Sequence, residues 1–330
     1  MNTDVSVVIP VYNRTSLLGD TLDAIFRQTL PPREVIVVDD GSREDVEGYV
    51  AAYGRENLRC IRTENRGVNA ARNTGARAAR TRWLAFCDSD DLWLPQKLER
   101  QFALIRLAPD CEYCLVDFQP FTERGLEDYT KFSFAPASFW KNAQRDFGAA
   151  GLVFESDMAL EFLCFQPAIT STVLLTRGQF DKAGGWNEAM SSNPAQDFEF
   201  HLSCASHPPV GIVREVLMHY RVHALNWSAD GLRQDVASIE ILESMLDHHP
   251  VAIRNAPVFR QQIQSRSIEA ADRAFYEARF DCFRELLRRV PWSRRPPRLA
   301  ARYLLTLLFP ARVFQRVHRL ARRLKGSGNA

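Results

Sequence analysis

The chain has 330 residues, room for one large domain with an appendage or for two domains. With 46% hydrophobic and 25% charged residues it reads as a globular protein that buries a real core, and a formal net charge of only +2 gives no basis for nucleic-acid binding. Seven scattered cysteines, an odd number, argue against a disulfide framework. Cys111 and Cys114 form a lone C-x-x-C without a second pair or a nearby His, and are read as reduced structural thiols. The stretch MNTDVSVVIPVYN lacks the basic and apolar regions of a signal peptide, and no apolar run approaches the roughly 18–20 residues of a membrane span. A cytoplasmic protein is expected.

In chain order, Val5–Ile9 and Glu34–Val38 are short β-branched runs ending at turn-forming residues, hence strands. Between them, residues 15–28 place Leu17, Leu18, Leu22, Ile25 and Phe26 at helical spacing, with Thr15 or Ser16 as cap. A helix over Glu44–Tyr53, a strand over Asn57–Arg62, an Ala-rich helix over Val68–Ala79 and a strand over Trp83–Cys87 follow. Strands alternating with helices at this pitch predict a doubly wound, mostly parallel α/β sheet. Residues 118–165 are rich in aromatics without a clean period, which suits an insertion or lid more than core. A strand is expected at Ile169–Leu175, a turn at Phe180–Trp186, a helix at Gln196–Ala205 and a strand at Tyr220–His223. Beyond Asp230 the pattern is helical, over Val236–His248 and Ala256–Leu287. The predicted organisation is residues 1–230 as one α/β domain, divided at about residue 115, and 231–330 as a helical extension.

Open parallel sheets bind ligands beyond the carboxyl ends of their strands. Three polar clusters stand there: Tyr12-Asn13, Asp39-Asp40-Gly41-Ser42 and Asp88-Ser89-Asp90-Asp91. They are expected to converge on one crevice. Asp88, Asp90 and Asp91 offer the oxygen ligands that a hard cation such as Mg2+ or Mn2+ takes together with substrate phosphates. Such a cation neutralises a departing diphosphate. The plainer reading is a solvated turn or a helix cap. Its position after an apolar parallel strand, opposite a second Asp pair, favours the metal. The Asp39–Ser42 cluster is either a turn that caps the next helix or a nucleoside contact, and both readings stand. Neither G-x-G-x-x-G after the first strand nor G-x-x-x-x-G-K-[ST] occurs, so a metal rather than a Gly-rich loop is expected at the phosphates.

Four stretches in order, Val7–Asn13, Val37–Ser42, Asn65–Gly75 and Phe86–Pro95, resemble the family 2 glycosyltransferases of GT-A fold. The resemblance continues more weakly through Gly184–Trp186, Gln196–Phe200 and Tyr220–His223. It implies a nucleotide-sugar donor, UDP-linked, with Pro10, Val11 and Tyr12 lining the base pocket and Asn13 and Ser89 among the donor contacts. Asp39 or Asp40 would hydrogen-bond uracil, and Arg66 and Arg72 would lie at ribose or phosphate. Asp88 and Asp90, with Asp91 beside them, would hold the metal, and Asp197 would be the general base of an inverting transfer. His223 is a minority metal candidate, since a lone His is more often structural. The family's Glu-Asp pair is here Gln196-Asp197, and loss of the neighbouring charge is expected to lower the base slightly. Glu199 is the fallback base. The absence of Gln-x-x-Arg-Trp suggests single-sugar transfer.

From Leu286 onward there is no acidic residue. Between Ala311 and Lys325, Val313, Phe314, Val317, Leu320 and Leu324 alternate helically with Arg312, Arg316, Arg319 and Arg323. Peripheral docking on an anionic inner-membrane surface and packing on the protein's own body are evenly balanced readings, with nucleic acid behind. The expected acceptor is a glycan, lipid-linked if the tail docks. Two other classes compete with the enzyme: a non-catalytic nucleotide-sugar-binding or recruitment module, and a nucleotidyltransferase, for which Pro10–Arg14 is not the needed basic Gly-rich loop.

Overall fold

In the computed structural model, residues 3–223 and 230–308 are described. The chain divides into two units, Met1–Ala229 and Asp230–Ala330. The first unit carries β1 (Thr3–Val11), α1 (Thr15–Phe26), β2 (Pro32–Asp39), α2 (Val46–Ala52), β3 (Leu58–Arg62), α3 (Val68–Ala78), β4 (Trp83–Phe86), β5 (Leu92–Trp93) and α4 (Lys97–Leu107). It continues with β6 (Tyr113–Thr122), β7 (Gly125–Leu126), α5 (Ala137–Lys141), β8 (Arg145–Asp146), β9 (Leu152–Phe154), α6 (Ala159–Phe165), β10 (Leu174–Thr176), α7 (Arg177–Lys182), α8 (Phe198–Ala205) and β11 (Val210–Arg221).

The strands form one sheet in the order β3-β2-β1-β4-β10-β6-β11-β9-β8, with β5 beside β11 and β7 beside β6. β3, β2, β1 and β4 are mutually parallel, and β10 runs antiparallel between β4 and β6. This is a mostly parallel α/β sheet of the GT-A-like kind. Both faces are covered, which explains the unbroken β-branched runs. Val5, Val7 and Ile9 of β1 pack with Leu18, Leu22 and Ile25 of α1, whereas Val8 packs on the other face with Ala71 and Ala76 of α3. The close approach of α3 requires Gly75, where a Cβ would collide with the Val8 side chain.

Several expectations change. The aromatic region 118–165 is core in large part: Phe132, Phe139, Phe154 and Phe162 are buried together on the α3 face of the sheet. Its irregular period reflects short elements meeting one cluster rather than a loose lid. Ile169–Leu175 divides into a 3-10 turn at Thr170–Thr172 and the short β10. The turn expected over Phe180–Trp186 begins after α7, at Ala183–Gly184, and the strand at Tyr220 is only the end of the twelve-residue β11. Cys111 and Cys114 are buried free thiols.

The second unit holds α9 (Gly231–His248), α10 (Pro250–Arg254), α11 (Ala256–Tyr276), α12 (Phe280–Arg288) and α13 (Pro297–Leu308). The single helix expected over Ala256–Leu287 is broken at Ala278, whose φ is +60°. Phe275, Phe280 and Phe283 close the corner edge to face. Among the described residues no helix is long and apolar enough to cross a membrane. The basic amphipathic segment Ala311–Lys325 lies outside the described residues.

Candidate active site

The carboxyl ends of β1, β2 and β4 lie side by side, with Val11 paired to Asp39 and Val8 to Phe86. The three polar clusters therefore share one edge of the sheet. Asn13, at φ +51°, ties two of them together. Its N–H donates to Ser42 Oγ at 2.9 Å, and its Oδ1 accepts from the Arg43 N–H at 2.7 Å. Pro10 and Val11 are buried beneath, and Tyr12 is 47% exposed at the rim.

Asp39 and Asp40, expected at a nucleoside, are turned into the protein. Asp39 Oδ1 accepts from the Ser42 N–H and Oδ2 from Arg62, at 2.8 and 2.6 Å. Asp40 accepts the N–H groups of Arg66 and Gly67, both at 2.8 Å, and burial raises its pKa. Each carboxylate holds a loop in place, so their observed work is shaping the wall of the cleft. Arg66 itself is exposed, with its guanidinium on Glu188 Oε2 at 2.7 Å.

Arg72 is the centre of the site. Its side chain is 1% exposed, and its guanidinium donates to Asn69 Oδ1, Gln196 Oε1 and Asp88 Oδ1 at 2.9, 2.8 and 2.7 Å. The face of Trp186 covers it at 4.7 Å. One buried cation thus links α3, the end of β4 and the approach to α8. Gln196 keeps a hydrogen bond to Arg72 while adding no charge. The Trp186 turn is held to α3 by Asn73, which donates to Trp186 O at 2.8 Å and accepts its N–H at 3.0 Å.

The acidic cluster divides in two. Asp88 is 35% exposed, with Arg72 on Oδ1. Ser89 is buried between its neighbours. Asp90 Oδ2 receives Arg14 Nη1 at 2.6 Å and lies 3.1 Å from His223 Nε2. Burial foremost, then the Asp88 charge, raises Asp90, against Arg14 and His223. Asp91, expected among the metal ligands, is instead enclosed. Its Oδ2 accepts from Ser171 Oγ at 2.5 Å and its Oδ1 from the Arg221 N–H at 3.2 Å, which makes it a brace between the end of β4, the 3-10 turn at Thr170–Thr172 and β11. Among the described residues no group of three or more His, Cys, Asp or Glu is arranged to hold a metal ion. The donor set in reach is Asp88 and Asp90. Two carboxylates suit a hard cation completed by diphosphate oxygens, not an all-protein cage.

Asp197 precedes α8 as its N-cap residue, 22% exposed. Burial pushes it up to about 6, opposed by the Arg72 charge and assisted by Asp88. The slight lowering expected from Gln196 is therefore outweighed by burial. Glu199 is buried with Oε2 on Asn187 Nδ2 at 2.8 Å. Arg14, Ser171 and Arg221 were not assigned from sequence. Arg14 directly follows the first motif and Arg221 lies inside the last, but their partners Asp90 and Asp91 are distant in the chain.

Residues 6–148 match the family model described as Glycosyl transferase family 2. An uncharacterized glycosyltransferase of Rickettsia felis is 37% identical over 101 residues, 30% of this chain and 17% of that one. The UDP-Glc:alpha-D-GlcNAc-diphosphoundecaprenol beta-1,3-glucosyltransferase WfgD of Escherichia coli is 31% identical over 102 residues, 31% of this chain and 40% of its own. The chain thus spans less than half the length of these relatives. S. aureus TarS 1-349, solved in complex with UDP-GlcNAc, superposes with a TM-score of 0.59 at 16% identity, over 88% of this chain and 82% of that one. Residues 6–148 are thus similar to glycosyl transferase family 2, and the fold is GT-A-like.

Proposed function

We propose that this protein transfers a single sugar from a nucleotide-diphosphate donor, UDP-linked, to an acceptor hydroxyl with inversion at the anomeric carbon. The observation that carries this reading is the Arg72 bridge, which sets Asp197, a carboxyl pushed up to about 6, beside the Asp88–Asp90 cluster. A base poised near neutrality suits removal of a hydroxyl proton. In the step, Asp197 takes that proton as the acceptor oxygen bonds to the anomeric carbon. The bond from that carbon to the diphosphate oxygen breaks, and its electron pair leaves with the nucleotide diphosphate.

Asp88 and Asp90 would hold Mg2+ or Mn2+, which supplies charge neutralisation for the departing diphosphate. Arg14 and His223, both on Asp90, stand where donor binding must reorganise the pairing. The UDP-linked donor follows the UDP-GlcNAc complex of the TarS neighbour, and a lipid-linked glycan acceptor at the cytoplasmic face follows the substrate in the WfgD name. The test is a screen of nucleotide sugars for binding and turnover with and without Mg2+ or Mn2+. Asp90→Asn is expected to weaken metal-supported donor binding about 10-fold or more. Equal donor affinity in that variant, or no dependence on cation, would remove the metal from the proposal.

Peripheral membrane contact is part of the same reading. Leu304, Leu305, Leu307 and Leu308 of α13 are exposed, in a stretch without acidic residues. Flotation with vesicles containing anionic lipid is expected to carry the full chain. A chain with these four leucines changed to Ser is expected to stay at the bottom, and equal flotation of the two would refute the contact.

A further inference from the structure

The second residue of interest at the base lies one helical turn beyond it. Asp197 and His201 are four residues apart at the start of α8 and so share a face. His201 is 2% exposed, set between the edge of Trp186 and the ring of Phe200. Its Nδ1 lies 3.0 Å from the hydroxyl of Tyr113, which is 0% exposed on β6. That hydroxyl needs an acceptor for its hydrogen, and Nδ1 is the one within reach. The tautomer follows: Nδ1 accepts and Nε2 carries the hydrogen. Nε2 is buried and has no hydrogen-bond partner among the described residues, yet it lies 3.9 Å from Asp197 Oδ2. A buried donor 3.9 Å from a carboxylate oxygen needs only a small movement to hydrogen-bond its charged form.

We propose that His201 is a positioning residue for Asp197. Its Nε2–H, oriented by Tyr113, closes on Oδ2 when Asp197 is charged and leaves Oδ1 free to take the hydroxyl proton. The proposal rests on Asp197 being the base. His201 keeps its own hydrogen throughout, because burial, with the Arg72 charge, pushes the imidazole down to about 3 and keeps it neutral. Asp197 is also faced by Arg72 from α3, by Asp88 after β4 and by the Thr170 N–H, none of which is supplied by residue 201.

The experiment is a carboxyl-carbon NMR titration of the full chain, with the Asp197 signal identified by its loss in Asp197→Asn. In His201→Leu, Asp197 is expected to titrate about one pH unit higher than in the parent, since an N–H near its charged form is gone. In His201→Gln, whose amide nitrogen reaches the place of the imidazole Nε2, the midpoint is expected to return most of the way. A merely structural role lowers the melting temperature of both variants and leaves the midpoint still. An unmoved midpoint in His201→Leu, or no recovery in His201→Gln, overturns the proposal. Should His201→Leu not fold, Tyr113→Phe removes one oxygen and releases the tautomer; a smaller upward move is expected, and none overturns the proposal. Transfer by Asp197→Asn at the parent rate would instead remove the base assignment itself, whatever the titration shows.

Discussion

Replacing Asp197 by Asn is expected to cut sugar transfer by about 10²- to 10⁴-fold while leaving donor affinity within about twofold. Asn is nearly isosteric, and the donor-side pair Arg72–Asp88 does not pass through the Asp197 side chain. What is lost is the acceptor for a hydroxyl proton. The same assignment fixes the sign of the pH dependence. A base must be unprotonated to act, and Asp197 is held up to about 6, so transfer in the parent protein is expected to rise with pH through that region and level off above it. Steady-state rates between pH 5 and pH 8 (about three decades of proton concentration) together with calorimetric donor binding check both statements. A rate flat across that range, or an Asn variant with parental turnover, would place the base elsewhere.

Arg72 is expected to matter more for the fold than for any single contact. Arg72→Met should cost about 3–5 kcal/mol of stability, because it strips the donor from Asp88 and from the amide oxygens of Gln196 and Asn69 together. Asp88 is partly exposed and can regain water, which places the cost nearer the low end. Arg72→Lys is expected to recover little, since a point charge cannot serve three oxygens in a plane or lie flat on Trp186. Urea unfolding of the three proteins reads this directly, and a loss below about 1 kcal/mol in Arg72→Met would show that the bridge is ornamental. Donor binding should fall in parallel, as Asp88 loses the contact that orients it.

Gln196 bears on the competing view of a non-catalytic binding module. As a bare sequence change, the loss of an acidic neighbour beside Asp197 looks like decay. In place, Gln196 keeps its bond to Arg72 and leaves the guanidinium charge to Asp88 and Asp197. The substitution preserves the bridge, which favours an active site.

The sequence by itself determined the sheet and its edge. β-Branched runs alternating with amphipathic helices leave few topologies open, and the turn residues at Asn13, Asp39 and Asp88 follow directly from where those runs stop. Local pattern is enough for this, because strand period, helix period and turn chemistry are properties of neighbouring residues. What each carboxylate does was decided only by the tertiary structure. Asp88 and Asp91 are three residues apart in one acidic run, yet one is partly exposed in the cleft and the other is braced by Ser171 and Arg221, 80 and 130 residues away. The aromatics between Phe118 and Phe165 read as a lid because short, irregular elements carry them into one buried cluster without a helix or strand period to mark it. Burial and hydrogen-bond partners set both the charge state and the direction of an acidic side chain, and those are supplied by segments that meet only when the chain is folded.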